Sequence, residues 1–242
     1  MGTAVVRTVH GFTMECDLRD WVSQHVFVTG SYEEGLPQVM AQLVRPGSVV
    51  VDVGANVGFY TLLLANLAGP TGRVHAFEPM PHALTRLRKH VTMNRLQNVE
   101  IHEAAASSSD GTVPFYLGPV EHTSISSLHP LEGSTSIDVQ CTTLDRALEK
   151  AGPIDFIKMD VEGAEPEALA GAQHLLSRGV PYLVAEVSDS GWPATLIERG
   201  YAMYHITWQG VRKVDDPRDP SLPAQYNALF SLGTLPAGVA VL

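Results

Sequence analysis

Residues 49–53, Val-Val-Val-Asp-Val, form a β-branched run interrupted by one aspartate, and a turn with two glycines follows at once. A run of this kind is typical of a strand buried on both faces of a parallel sheet. Gly54 permits a tight turn and lets a ligand approach the backbone closely. The apolar helix expected after Gly58 would present free N–H groups at its start. The segment therefore predicts a nucleoside-cofactor site at the carboxyl end of a buried strand.

Strands and helices alternate along the rest of the chain. We expect strands at 73–78, 99–104, 154–160, 182–187, 203–207 and 226–232, and helices at 81–95 and around 165–177. This alternation predicts an α/β fold with a doubly wound sheet. Residues 106–150 interrupt it as an insertion with two short strands, expected at 113–117 and 136–141.

The chain divides into an N-terminal extension, 1–46, and one large domain, 47–242. In the extension, residues 4–9 and 12–17 flank a His-Gly turn and predict a small hairpin. Residues 33–44 predict a helix that ends before Arg45-Pro46. With 242 residues, 45% of them hydrophobic, the chain is long enough to bury a sizeable core. We expect the extension to pack on the main domain.

Composition excludes several classes of protein. The formal net charge is −10 and the basic residues are scattered, which disfavours a nucleic-acid partner. No apolar run reaches the roughly 18 residues of a membrane span, and the N-terminus lacks the pattern of a signal peptide. Cys16 and Cys141 form neither a disulfide framework nor a zinc-ligand spacing. We therefore expect a cytoplasmic protein with no membrane or nucleic-acid partner, and leave a homodimer open.

The spacing around the first turn discriminates between cofactors. A dinucleotide fingerprint needs G-x-G-x-x-G, but Asn56 and Phe59 occupy the second and third glycine positions counted from Gly54. Asp52, just before the turn, would repel a pyrophosphate, whereas it suits the ammonium of an aminoacyl group. The turn therefore favours a cofactor with an aminoacyl tail over a dinucleotide.

Glu78 supplies the second half of the cofactor argument. It ends the second predicted strand, 20 residues after Gly58, where an acidic group can accept both hydroxyls of a ribose. Pro79 then turns the chain away from the strand. A ribose diol together with an aminoacyl tail describes S-adenosylmethionine. The alternative interpretation is that Asp52 caps the helix and Glu78 is a solvated strand end.

Four segments resemble the FkbM-type methyltransferases: VVDVGANVGFYT (50–61), HAFEP (75–79), TTLD (142–145) and FIKMDVEGAE (156–165). The resemblance implies a class I methyltransferase fold, Rossmann-like, with seven core strands of which the last is antiparallel. It also implies methyl transfer to a hydroxyl, usually of a natural product or a sugar. By the resemblance, Asp52, Gly54, Asn56, Gly58 and Glu78 take the cofactor-binding roles, and Asp160 matches the family's acidic residue after the fourth strand. We also expect Ala55, Pro79 and Ala104 to contact the cofactor, and Tyr32, before the helix that leads into the first strand, to cover it. The Ser-rich stretch 122–128 resembles a loop that lies near the cofactor.

Methyl transfer to an alcohol benefits from a general base, because the hydroxyl proton must leave as the new bond forms. Asp160 ends the fourth predicted strand and Glu186 lies near the end of the fifth, so the two carboxylates could converge on one site. One of them would be the base, or both would hold a divalent metal such as Mg²⁺, which we do not favour. Asp160 could instead only cap the next helix or order the methionine end of the cofactor.

Histidine is a further candidate base, because its ordinary pKa lies near neutrality. His122, beside the Ser-rich stretch, is the best placed, and His205 on a late strand is the second choice. Glu162 and Glu165 would begin a helix and complement its dipole. Lys158 is expected to alternate out of the core strand.

Aromatic residues could form a wall of the acceptor pocket, although aromatics more often fill cores. The candidates are Tyr32, Trp192, Tyr204 and Trp208. The leading function is a small-molecule O-methyltransferase, and N- or C-methylation would use the same cofactor site. Two rival functions from other classes are an NAD-dependent oxidoreductase and a non-catalytic domain that binds the cofactor.

Overall fold

The computed structural model describes residues 2–117, 126–127, 135–189 and 191–242. The N-terminal extension contains two antiparallel strands followed by two helices. These are β1 (Thr3–Arg7), β2 (Thr13–Asp17), α1 (Trp21–Thr29) and α2 (Leu36–Leu43). The extension packs on the rest of the chain partly through polar contacts. The backbone N–H of Glu15 donates to Nε2 of His90 at 3.0 Å, and that of Thr13 donates to Oδ1 of Asn94 at 2.7 Å.

The first half of the main domain alternates strictly between strand and helix. It comprises β3 (Val49–Val53), α3 (Phe59–Ala68), β4 (Arg73–Phe77), α4 (Pro81–Met93) and β5 (Val99–His102). Strand β3 is buried along nearly its whole length, and eight of the ten residues of α3 are buried. The continuous apolar run in the sequence therefore reflects a strand covered on both faces.

A small second sheet follows at the edge of the main one. It is built from β6 (Ala105–Ala106), β7 (Gly111–Leu117), β8 (Ser126–Ser127) and β9 (Thr135–Thr142). In the described ranges its strand order is β6-β9-β7-β8. Phe115 and Val139 lie in the apolar cluster between this sheet and α4. The insertion therefore has a small core of its own next to the carboxyl ends of β4 and β5.

The second half completes the main sheet. Its elements are α5 (Leu144–Ala147), β10 (Phe156–Met159), α6 (Glu165–Ala170), α7 (Gln173–Ser177), β11 (Tyr182–Val187), α8 (Pro193–Ile197), β12 (Ala202–Thr207), β13 (Gly210–Val214) and β14 (Tyr226–Ser231). Within the described part of the chain, the strand order is β13-β12-β14-β11-β10-β3-β4-β5. The five strands from β11 to β5 are parallel, and β14 runs antiparallel to β11 and β12.

The predicted α/β fold with a doubly wound sheet is confirmed, and β14 is the antiparallel last strand expected of it. The edge strand β13, an addition to the seven core strands, was not predicted. Helix α1 was also missed. The predicted helix at 165–177 is two short helices, because the chain turns at Gly171, where a Cβ would lie 2.0 Å from the carbonyl oxygen of Ser107.

In the described ranges, no helix is both long enough and apolar enough to cross a membrane.

Candidate active site

The glycine turn after β3 lies directly against the end of β10. Gly54 has a φ of +80°, and a Cβ built there would come within 1.9 Å of the carbonyl oxygen of Asp160. Any side chain at this position would separate the two strand ends. The N–H groups of Gly54 and Ala55 donate to the carbonyl of Phe77 at 3.0 and 2.9 Å. The turn is therefore fixed to the ends of both neighbouring strands before any ligand binds.

Glu78 holds the same turn from the other side. One of its carboxylate oxygens accepts the N–H of Asn56 at 2.7 Å, and the other accepts the N–H of Met80 at 2.8 Å. Burial raises the pKa of Glu78 to about 7, although the two backbone N–H groups oppose this shift. Each carboxylate oxygen can still accept a second hydrogen bond. Glu78 lines the cleft next to the turn and is available to a ligand with paired hydroxyls.

The cleft runs along the carboxyl ends of β10, β3 and β4, the edge at which open α/β sheets bind ligands. Near Glu78, small and apolar side chains line it: Met80, Ala83, Ala104, Ala105, Ala106 and Phe115. Near β10, charged and polar groups line it instead: Asn56, Tyr60, Lys158, Asp160 and Glu162. One half therefore suits a flat apolar ring, and the other suits a polar or cationic group.

Lys158 is the buried cation of the polar half. Its Nζ lies 3.3 Å from Asp160 Oδ2, 3.7 Å from Asp52 Oδ1 and 5.0 Å from the centre of the Tyr60 ring. Burial alone would lower the pKa of Lys158, but the carboxylates of Asp160 and Asp52 raise it above its ordinary value. Lys158 therefore stays charged and links the first and fourth core strands through ion pairs. The expectation that Lys158 would alternate out of the core is wrong, because both faces of β10 are buried.

Asp52 lies below the cleft rather than on its surface. Its side chain has no solvent exposure, accepts the hydroxyl of Thr61 at 2.6 Å, and faces Lys158. A ligand's ammonium could not reach this carboxylate in the described geometry. In this geometry Asp52 contacts Lys158 and Thr61 at the start of α3 and not the cleft surface, so its direct contact with a cofactor stays a prediction that this burial does not favour.

A group of acidic side chains surrounds the end of β10. The pKa of Glu162 is raised to about 8, mainly by burial and further by the negative charges of Asp160 and Glu186. Burial and the charge of Asp160 likewise raise the pKa of Glu186 to about 7. Glu186 follows the register partner of Met159, so it leaves the sheet at the same edge as Asp160. A cation entering this region would be stabilised, because it relieves the repulsion among these carboxylates.

The N-terminal extension contributes Glu33 to this region. One oxygen of Glu33 accepts the Tyr60 hydroxyl, and the other accepts Nδ2 of Asn227 at 3.2 Å. Asn227 on β14 is the register partner of Glu186 on β11. Glu33 thus ties the extension to α3 and to the antiparallel last strand, close to the predicted catalytic acids.

The structure brings most of the predicted cofactor residues to one cleft. Those on its surface are Tyr32, Gly54, Ala55, Asn56, Gly58, Glu78, Pro79, Ala104 and Asp160. Glu186 lies beside Asp160 and outside the cleft lining. His122, the third predicted catalytic residue, lies outside the described residues, as does most of the stretch 122–128. Asp160 and Glu186 do not belong to the one group of three potential metal ligands found among the described residues.

Of the four aromatic candidates for a pocket wall, only Tyr32 lines the cleft. Trp192 is buried in an apolar core cluster with Phe230, Trp208 is 71% exposed, and Tyr204 packs against the core next to α2. His205 lies on β12 with its ring against Tyr226, at a centroid distance of 5.0 Å, and does not line the cleft. Since none of these last four residues lines the cleft, the described geometry gives no support to their predicted roles.

Sequence reasoning missed several residues of the cleft, namely Trp21 and Val22 from α1, Phe115 from β7, and the buried Lys158. A signal for α1 was present: Asp20 precedes the helix and its side chain accepts the N–H of Ser23, while Gly30 ends the helix with a φ of +74°. This aspartate-to-glycine pattern is typical of helix boundaries.

The fold is that of class I, S-adenosylmethionine-dependent methyltransferases. A sequence profile of the family described as the methyltransferase FkbM domain matches residues 52–205. The chain belongs to this family. The resemblance noted in the four sequence segments is therefore confirmed.

Curated relatives and a solved structure agree with this assignment. The chain is 28% identical over 171 residues to the 2-O-methyltransferase NoeI of Sinorhizobium fredii, covering 63% of this chain and 68% of the relative. It is 29% identical over 178 residues to the 31-O-demethyl-FK506 methyltransferase FkbM of Streptomyces tacrolimicus, covering 60% and 67%. The crystal structure of methyltransferase FkbM from Methylobacillus flagellatus superimposes with a TM-score of 0.53 at 20% identity, covering 77% of this chain and 44% of that one. This last likeness shows the fold alone.

Proposed function

We propose that this protein transfers a methyl group from S-adenosylmethionine to a hydroxyl of a small molecule. The observation that carries the proposal is the Asp160 carboxylate at the surface of the cleft, with 29% of its side chain exposed and Lys158 at 3.3 Å. It lies opposite Glu78 across the glycine turn. The cleft therefore contains one carboxylate, Asp160, that can accept a proton and another, Glu78, that can bind the hydroxyls of a ribose.

The residues of the cleft fit the cofactor by their chemistry. Glu78 would accept the two ribose hydroxyls, because both of its oxygens retain hydrogen-bonding capacity. The apolar surface formed by Met80, Ala105 and Phe115 would hold the adenine ring. The acidic side chains at the end of β10 would stabilise the positive charges of the sulfonium and the ammonium. A pyrophosphate near β10 would instead meet the acidic side chains of Asp160 and Glu162, while Lys158 is already paired with two aspartates.

When bound, S-adenosylmethionine supplies an electrophilic methyl group that needs little further activation. The protein's task is then to orient the acceptor and to receive its proton. Asp160 would accept the hydroxyl proton, and Lys158 would hold its carboxylate in one orientation. Glu186, next to Asp160 at the same sheet edge, is the alternative base. Tyr32 and the N-terminus of α1 would cover the cleft and exclude water.

The names of two relatives support an oxygen acceptor, since both describe methylation at an oxygen position. The resemblance to the FkbM family extends the proposal to a natural product or a sugar of secondary metabolism as the acceptor. An amine or carbon acceptor would use the same cofactor site. The ion pair between Asp160 and Lys158 does not favour either of them over a hydroxyl acceptor.

Incubation of the purified protein with methyl-labelled S-adenosylmethionine and a panel of hydroxylated and aminated small molecules tests the proposal. We expect label in an ether product, identified by mass spectrometry and nuclear magnetic resonance. Label found only in amine products would show that the acceptor atom is nitrogen and would overturn the proposed oxygen acceptor. Cofactor binding with no transfer to any acceptor would favour the non-catalytic alternative.

Replacement of Glu78 by alanine is expected to weaken cofactor binding by about 1–3 kcal/mol, or roughly 5- to 150-fold in Kd. The variant loses the charged acceptor for the ribose and leaves the N–H groups of Asn56 and Met80 without their partner. Calorimetric titration with S-adenosylhomocysteine measures the effect.

Glu78→Gln is the matched control, because it keeps the shape and one oxygen acceptor while removing the charge. Its affinity should fall between those of the wild type and the alanine variant. An unchanged Kd in Glu78→Ala, with the melting temperature intact, would remove Glu78 from the binding site.

A further inference from the structure

A group of side chains that can bind a metal ion lies outside the cleft, on two adjacent strands at the edge of the main sheet. His75 is on β4, and Glu100 and His102 are on the edge strand β5. Glu100 is the direct register partner of His75, and His102 lies two residues further along the same strand. Because strand side chains alternate in direction, all three project from one face. They form the one group of three potential metal ligands among the described residues.

The distances between the donor atoms are those of a nearly assembled coordination shell. Nδ1 of His75 lies 3.1 Å from Nε2 of His102. The two carboxylate oxygens of Glu100 lie 3.7 Å from His75 Nδ1 and 3.8 Å from His102 Nε2. A tetrahedral zinc ion with ligands at its ordinary bond lengths separates neighbouring donors by about 3.3 Å. Small side-chain rotations would therefore place the three donor atoms at three corners of a tetrahedron around a zinc ion.

We propose that His75, Glu100 and His102 bind a Zn²⁺ ion, with the fourth position open to water. Two imidazoles and one carboxylate are ligands that zinc accepts. Glu100 is half-exposed, so an ion can enter from solvent, while His75 is almost fully buried and fixes the inner side of the site. The proposal does not depend on methyl transfer.

The surroundings prepare the two histidines as ligands. The ring of His102 stacks on Phe77 at a centroid distance of 4.3 Å and is 8° from parallel, which holds its orientation. The contact between His75 Nδ1 and His102 Nε2 is a hydrogen bond, so one of these nitrogens carries a proton, and that ring would adopt its other tautomer when both nitrogens bind an ion. One group opposes the ion: the guanidinium of Arg73 lies 3.4 Å from Glu100.

The zinc site would act on the strands that carry the cofactor cleft without touching the cofactor. None of its three ligands lines the cleft. The carbonyl of His102 accepts the N–H of Glu78 at 3.1 Å, so an ion here would clamp β5 to β4 directly below the proposed ribose site. Its expected effect is therefore on the stability of these two strands.

Titration of the metal-stripped full chain, without a polyhistidine tag, tests the site. We expect Zn²⁺ to bind with one-to-one stoichiometry by calorimetry and to raise the melting temperature. Co²⁺ should give the visible absorption bands of a four-coordinate ion. His102→Asn should lower the affinity for Zn²⁺ by at least about 10-fold and abolish the Co²⁺ bands.

Two further variants separate the proposed site from ordinary surface binding. His174→Gln removes an exposed histidine on α7 and should leave the affinity unchanged. Arg73→Gln removes the competing guanidinium and should strengthen binding. Zinc binding that His102→Asn and Glu100→Gln leave intact, with both variants folded by circular dichroism, would overturn the assignment, as would the absence of one-to-one binding in the wild type.

Discussion

Replacement of Asp160 by asparagine is expected to reduce kcat by about 10²–10⁴-fold, the usual contribution of a general base. The asparagine keeps the size of the side chain and can still accept a hydrogen bond from Lys158. It cannot take a proton from the acceptor. Because the substitution leaves the glycine turn and Glu78 intact, the Kd for S-adenosylhomocysteine should change much less than kcat. Steady-state kinetics and calorimetric titration on the same preparation separate the two effects.

Glu186→Gln is the matched control for Asp160→Asn, since it removes one carboxylate from the neighbouring strand at the same sheet edge. If Asp160 is the base, the Glu186 variant should retain most of the wild-type rate. The reverse ranking would transfer the role of base to Glu186. A nearly intact rate in Asp160→Asn with a lowered melting temperature would leave Asp160 a purely structural function.

Replacement of Lys158 by methionine is expected to destabilise the protein by about 3–5 kcal/mol, the cost of breaking a buried ion pair by removing one partner. Methionine fills nearly the same space, so the loss is electrostatic rather than a cavity. Asp52 would remain fully buried with only the Thr61 hydroxyl as a partner, and its second oxygen already accepts no hydrogen bond. Urea denaturation followed by circular dichroism measures the change in the free energy of unfolding.

Two comparisons show whether the effect of Lys158→Met comes from the uncompensated charge. Lys89→Met removes a half-exposed lysine that pairs with Glu15 on the surface, and should change stability by less than about 1 kcal/mol. The double variant Lys158→Met/Asp52→Asn removes both buried charges and should be more stable than Lys158→Met alone. A double variant that is less stable by the sum of the single losses would contradict the ion-pair explanation.

Local patterns in the chain were sufficient to identify most elements of the main sheet. The bounds predicted for the strands at 49–53 and 182–187 coincide with β3 and β11, because β-branched runs bounded by turn residues leave little choice. Helix α1 was missed, since its valines, phenylalanine and threonine have low helix propensity and no clear apolar stripe. It forms through its caps and through packing against β2 and the cleft.

The same limit applies inside the candidate site. The glycine turn and Glu78 are local signals, because each depends on a strand end and on a few residues in sequence. Lys158 could not be placed in this way. A strand buried on both faces has no polar side from which the direction of a lysine can be predicted, and the compensating carboxylate of Asp52 comes from another strand.

The sequence by itself determined the strand–helix alternation, the turn that Gly54 requires, and the two acids that follow the second and fourth core strands. Only the tertiary structure decided that Asp52 lies beneath the cleft, that Lys158 joins it to Asp160, and that Glu33 reaches Asn227 across 194 positions of the chain. Local patterns set backbone conformation through sterics and periodicity. The charge of a buried side chain is instead balanced by whichever residues the folded sheet brings beside it.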